Sequence, residues 1–128
     1  MIFLLATIRN FGQDGAAMSA AEINELEQMV LLALVRLGDE AYGVTVREAI
    51  EARAGRSVSI AAVYAALDRM EGRRWVEAWL SEPMAVRGGR ARKHFRVTAA
   101  GAAEVRAARR RMEEMWRGLE LHPDLRGE

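Results

Sequence analysis

The densest chemistry in the chain lies in Arg87-Gly88-Gly89-Arg90-Ala91-Arg92-Lys93, four cationic side chains set around two glycines. Guanidinium and ammonium groups make charge-assisted hydrogen bonds to phosphate oxygens, and glycines let a backbone come close to what it meets. The same residues would also serve as a solvated tip that keeps an edge hairpin soluble. Charge distribution favours the polyanion reading. Residues 1–68 hold 5 basic and 9 acidic side chains, residues 69–111 hold 12 and 4, and residues 112–128 hold 2 and 5. A formal net charge of +1 therefore conceals one strongly basic segment between two acidic ones, the pattern of a local polyanion-binding face. Arginine supplies 18 of the 19 basic residues beside 23 alanines. That bias suits a G+C-rich coding sequence, so the argument rests on where the arginines lie.

A second constellation precedes the first. Ser59 to Glu71 reads as a helix with Ser59 as N-cap and a buried stripe of Ile60, Val63, Leu67 and Met70. Its opposite face carries Ala61, Ala65, Asp68 and Arg69, with Tyr64 on the flank. Small side chains let a helix approach a duplex closely, and an α-helix fits the major groove. Ser59, Ala61, Tyr64, Ala65 and Arg69 would then face DNA, with Asp68 orienting Arg69 or Arg73. Tyr64 could equally be a packed aromatic with a wet hydroxyl.

Other chemistries find no residues to carry them. The chain has no cysteine, and its two histidines, His94 and His122, lie far apart and receive no role. There is no phosphate-binding glycine loop, no dinucleotide fingerprint, no nucleophile beside a base and no metal-ligand spacing. No catalytic residue, metal or cofactor is expected.

The elements that must position these groups follow from periodicity. Glu22 to Leu37 forms a first helix, apolar nearly all round from Met29 to Val35 and stopped by Gly38-Asp39; such a helix needs cover on more than one side, plausibly from another subunit. Gly43 to Arg53 forms a second, with Val46, Ala49 and Ile50 inward and Gly55 after its end. After the third helix the period changes to two. Val76, Ala78 and Leu80 alternate with Glu77, Trp79 and Ser81, then Lys93, Phe95 and Val97 with His94 and Arg96, which gives a hairpin with a long loop. Trp75 belongs to the core, whereas Trp79 either stacks under Arg96 or covers a subunit contact. Thr98 caps a last helix, Ala99 to about Gly118, with the stripe Ala102, Val105, Ala108, Met112, Met115, Trp116 and Leu119. Met112, Met115 and Trp116 suit dimer packing or a plastic pocket for a flat apolar effector. Arg109, Arg110 and Arg111, followed by Glu113 and Glu114, read as a solvated face.

The fold class is thus mainly α with some β: a winged helix-turn-helix with a two-stranded wing and a long C-terminal dimerisation helix. Residues 1–21 form an N-terminal extension, 22–98 the DNA-binding domain, 99–119 the dimerisation helix and 120–128 a tail. In the extension, either Met18 opens the folded chain or the first eleven residues form a short apolar helix that docks on a partner. No stretch reaches the roughly 20 apolar residues of a membrane span, and no basic-then-apolar leader is present, so a cytoplasmic protein is expected.

Four stretches together resemble the PadR family of bacterial transcriptional regulators. They are Glu25-Leu-Glu-Gln-Met-Val-Leu-Leu-Ala-Leu34, Leu37-Gly-Asp-Glu-Ala-Tyr-Gly43, Val58-Ser-Ile-Ala-Ala-Val-Tyr-Ala-Ala-Leu-Asp-Arg-Met-Glu71 and Gly88-Gly-Arg-Ala-Arg-Lys-His-Phe-Arg-Val-Thr-Ala-Ala-Gly101. A single final helix is similar to the short subfamily. The resemblance implies a homodimeric repressor, joined through its first and last helices and bound to a pseudo-palindromic operator. It puts Tyr42, Gly43, Ser59, Tyr64, Arg69, Gly88, Gly89, Arg90, Arg92 and Lys93 at or near double-stranded DNA, beside Arg87 of the same tip. It puts a small-molecule effector near Met112, Met115 and Trp116. The chain departs from the family where the third helix ends: Gly72-Arg73-Arg74-Trp75 replaces a Lys-Gly-Leu-like turn and shifts the glycine. A rival reading keeps the winged helix but has its basic face bind an acidic partner protein.

Overall fold

The computed structural model describes residues 22–81 and 92–121. Helix α1 (Glu25–Leu37) starts two residues inside its apolar pattern, because Asn24 and Glu27 close a reciprocal capping box. The Asn24 side chain accepts the Glu27 N–H at 2.7 Å, and the Glu27 carboxylate accepts the Asn24 N–H at 2.9 Å. Gly38, at φ 58°, ends the helix and opens a short 3₁₀ turn, Gly38–Glu40. Helix α2 (Gly43–Ala54) stops at left-handed Gly55, as its sequence predicts. Helix α3 (Ile60–Gly72) is capped by the Ser59 hydroxyl, which accepts the Ala62 N–H at 3.0 Å.

The departure at the end of α3 has a definite geometry. The Trp75 N–H donates to the Met70 carbonyl at 2.9 Å and the Arg74 N–H to the Glu71 carbonyl at 3.0 Å. This pair of bonds is a Schellman motif, whose left-handed residue is ordinarily glycine. Here that residue is Arg74, at φ 64°, while Gly72 remains in the helix. The turn is kept, with an arginine in the glycine position.

The three helices enclose one core. Val30, Leu31 and Leu34 of α1, Val46 and Ile50 of α2, and Val63, Ala66, Leu67 and Met70 of α3 are buried with Trp75, Val76 and Phe95. Each large side chain among them contributes about 1.5–3 kcal/mol by leaving water. Ile60 and Ala49, expected inside, are half-buried at the margin.

Strands β1 (Val76–Leu80) and β2 (Lys93–Val97) pair antiparallel, with Val76 opposite Val97, Ala78 opposite Phe95 and Trp79 opposite His94. A one-residue bridge between Tyr42 and His94 adds a third edge, where the Phe95 N–H donates to the Ala41 carbonyl at 3.0 Å. Two expectations change here. Leu80, on the inward side of β1, is 68% exposed because the ribbon has outrun the core by its fifth residue. His94, on the outward side of β2, is only 8% exposed because Tyr42 covers it.

Helix α4 (Ala99–Trp116) is locked to the end of α3 through Thr98. The Thr98 hydroxyl accepts the Gly101 N–H at 3.0 Å and donates to the Arg74 carbonyl at 2.7 Å, while its N–H donates to the Trp75 carbonyl at 3.0 Å. Gly101 is required by this crossing, since a Cβ there would collide with the Trp75 carbonyl oxygen. Ala108 is buried, and every residue from Arg109 to Leu121 is exposed. Arg109–Glu113 (2.7 Å) and Arg117–Glu114 (3.0 Å) pair along that solvated face. Three helices, a two-stranded wing and a long trailing helix make a winged helix. Among the described residues no helix is long and apolar enough to cross a membrane.

Candidate nucleic-acid interface

The outward face of α3 is open. Ala61, Ala65 and Asp68 are exposed, and so is Ser59, whose hydroxyl holds the helix cap. Tyr64 does more than line this face. A Cβ on Gly43 would collide with the phenol end of Tyr64, so the tyrosine rests directly on the first residue of α2 where the two helices meet. The tyrosine remains 40% exposed, so it is both packed and reachable from the outer face.

Tyr42, one residue before Gly43, continues the surface towards the wing. The Arg92 guanidinium sits 4.6 Å over the Tyr42 ring and donates to its hydroxyl at 3.0 Å. Tyr64, Gly43, Tyr42 and Arg92 therefore form one unbroken path from α3 to the base of β2. Lys93 leans the other way, 3.5 Å from the Glu71 carboxylate and 5.5 Å over Phe95. Arg87, Gly88, Gly89 and Arg90 lie outside the described residues.

Arg69 is engaged by a group the sequence did not suggest. Its Nε lies 2.9 Å from the Glu27 carboxylate, and Arg73 approaches the same oxygen at 3.8 Å. Glu27 is 1% exposed. Asp68, expected to orient these arginines, faces outward, and the orienting carboxylate comes from α1. One buried acid thus closes the α1 cap and ties α1 to the last turn of α3. A buried carboxylate is tolerable only with such partners.

His94, to which the sequence gives no role, is buried beside this surface. Its ring meets the edge of Tyr42 at 5.5 Å and stacks on Trp79 at 5.2 Å with an interplanar angle of 23°. Trp79 in turn lies 4.7 Å beneath the Arg96 guanidinium, the stacking foreseen as one of its two roles. Period-two spacing could have shown that Arg92, His94 and Arg96 share a face. Nothing in the sequence marks a bridge made by one residue.

Residues 31–107 match the Transcriptional regulator PadR-like family. That match spans more than half of the chain. The chain belongs to the PadR-like family. No curated protein matches it. Among solved structures it is similar to a transcriptional regulator from Clostridium thermocellum, at 16% identity and TM-score 0.62, covering 79% of this chain and 91% of that one. A PadR-like transcription factor from Bacteroides fragilis gives 19% identity and TM-score 0.60, covering 80% and 91%. A PadR family regulator from Eggerthella lenta gives 22% and 0.58, covering 84% and 91%. At such identities these likenesses speak for the winged-helix fold alone. Membership of the family makes this PadR-like chain a DNA-binding transcriptional regulator.

The PadR-like chain also carries a groove of about 770 Å³ between α1 and α4. Leu32, Val105, Met112 and Trp116 form its apolar wall, with Glu25, Arg106, Arg109 and Arg117 around it. Met112 and Trp116 come together there. Met115, grouped with them by sequence, is exposed on another side of the helix and does not line the groove.

Proposed function

We propose that the chain is a cytoplasmic, sequence-specific repressor that binds a pseudo-palindromic operator as a homodimer. The observation that carries this reading is the chain of contacts from Tyr64 across buried Gly43 to Tyr42 and Arg92, which joins the open face of α3 to the wing. Ala61, Tyr64 and Ala65 address base edges, and Arg69, at the far end of α3, reaches the backbone from its tether on Glu27. The wing residues Arg87, Gly88, Gly89, Arg90, Arg92 and Lys93 take phosphates or the adjacent minor groove. Two subunits paired through α1 and α4 would set their α3 helices about 34 Å apart, one turn of the duplex. Family membership favours DNA over an acidic partner protein as the ligand of this basic face.

The test is binding to the DNA upstream of its own gene, followed across a salt titration. Each phosphate contact contributes about 0.9 to the slope of log affinity against log salt. Replacing Arg90, Arg92 and Lys93 together by Ala should flatten the slope by nearly 3 units per subunit, about 5 for the dimer, on that basis. An unchanged slope removes the wing from the mechanism. No retarded band at low salt, with the dimer intact, hands the reading to a protein partner.

The groove at Met112 and Trp116 supports release by a small planar apolar or aromatic effector. Titration with planar cationic dyes should quench tryptophan fluorescence, and Trp116→Ala should abolish most of that quenching. Full quenching in the variant places the dye elsewhere.

A further inference from the structure

We infer that His94 is a positioning residue for phosphate contact, its ring setting Arg92 and Arg96 on one face of the wing. This rests on the DNA-binding reading and adds Arg96 to the surface, with His94 and Trp79 packed beneath it. Residues 92, 94 and 96 alternate with buried Phe95 and so share the side of the ribbon away from the core. On that side the rings and cations form one sequence in space: Arg92 over Tyr42, Tyr42 against His94, His94 on Trp79, Trp79 under Arg96. The histidine is the member common to both halves. Its Nδ1 is buried and has no hydrogen-bond partner among the described residues, so contacts with the flanking rings dominate its seating.

The two arginines at the ends are available. Arg96 is paired with Glu77 at 3.0 Å, but both side chains are largely exposed, and such a pair is worth little in water. A phosphate can displace that carboxylate. Arg92 keeps its guanidinium over Tyr42, and among the described residues one of its donors is committed, to the hydroxyl. Four residues apart on a strand, the two backbone positions are separated by about 13 Å, so the arginines reach different phosphates. Preset guanidinium planes lose less freedom on binding than free ones do.

The experiment uses the full chain and a mixed-sequence duplex, because non-specific binding reports phosphate contacts alone. Arg92→Ala with Arg96→Ala should lower the salt slope by about 1.8 per bound subunit, twice that for a dimer. His94→Ala should lower it by about 1 to 2 on the same scale, and His94→Phe, which keeps a flat ring, should restore it. Adding His94→Ala to the double arginine variant should change the slope no further. A merely structural histidine would lower the melting temperature and leave the slope alone, and that result overturns the inference, as does an additive effect on the arginine variant. Should His94→Ala fail to fold, Trp79→Leu at its half-buried site must cost the Arg96 contact, a fall of about 0.9; an unchanged slope there is equally fatal. A wild-type chain that ignores the duplex overturns the DNA-binding reading, whereas one that binds while the arginine variant keeps its slope overturns this inference alone.

Discussion

The two ends of α4 contrast sharply. From Ala99 to Ala108 the helix belongs to the winged helix, with Gly101 pressed on the Trp75 carbonyl and Ala108 buried. From Arg109 onward the same amphipathic stripe borders only the open groove against α1 among the described residues, and Met112, Met115, Trp116, Leu119 and Leu121 are exposed, as are Leu32 and Val35 of α1. Apolar side chains gathered in this way mark a contact surface rather than a tolerated accident. The first half shows what one chain can complete by itself. The second shows what the proposed second subunit would supply.

The largest effect is expected where that contrast is attacked directly. Met112→Glu with Trp116→Glu should weaken self-association at least 100-fold, since burying two such side chains is worth about 3 kcal/mol or more. Sedimentation should then report a monomer with an unchanged helical spectrum, and a variant that stays dimeric would take the stripe out of the interface. Glu27→Ala probes the closed half instead. It removes a cap and leaves two arginines without their acid, so urea unfolding should show a loss of about 2–3 kcal/mol, below the full cost of a wholly buried pair because both arginines are partly exposed. A loss under about 0.5 kcal/mol would mean that water replaces the carboxylate freely. The smallest effect runs the other way. Arg74→Gly relieves a left-handed arginine and should raise stability by about 0.5–1 kcal/mol, net of the extra freedom glycine gains when unfolded.

The helices and strands were legible because their signals are local. Ser59 and Thr98 each precede an apolar repeat and each caps it. The start of α1 was misread by three residues, since Ile23 extends the apolar pattern outward past the true cap at Asn24. What stayed hidden depends on chain segments far apart. Glu27 looks like an ordinary acid in a first helical turn; only the return of α3, some 42 residues later, brings Arg69 and Arg73 to it. His94 looks like a solvent-facing strand residue until the bridge at Tyr42, from a segment with no strand pattern of its own, closes over it. The open face of α3 was readable as small and polar, yet its neighbours were not: that Tyr64 rests on Gly43, and Tyr42 under Arg92, is tertiary information.

The contact between Tyr64 and Gly43 lies apart from the most exposed positions of α3. The phenol end of Tyr64 rests on a bare backbone, and Ala61, Ala65 and Asp68 stand outside that joint. Those three positions can therefore be exchanged, and the outer face of α3 remade, without disturbing that contact. The joint itself is less forgiving: a side chain at 43 would push the phenol of Tyr64 outward, onto the very face it now borders.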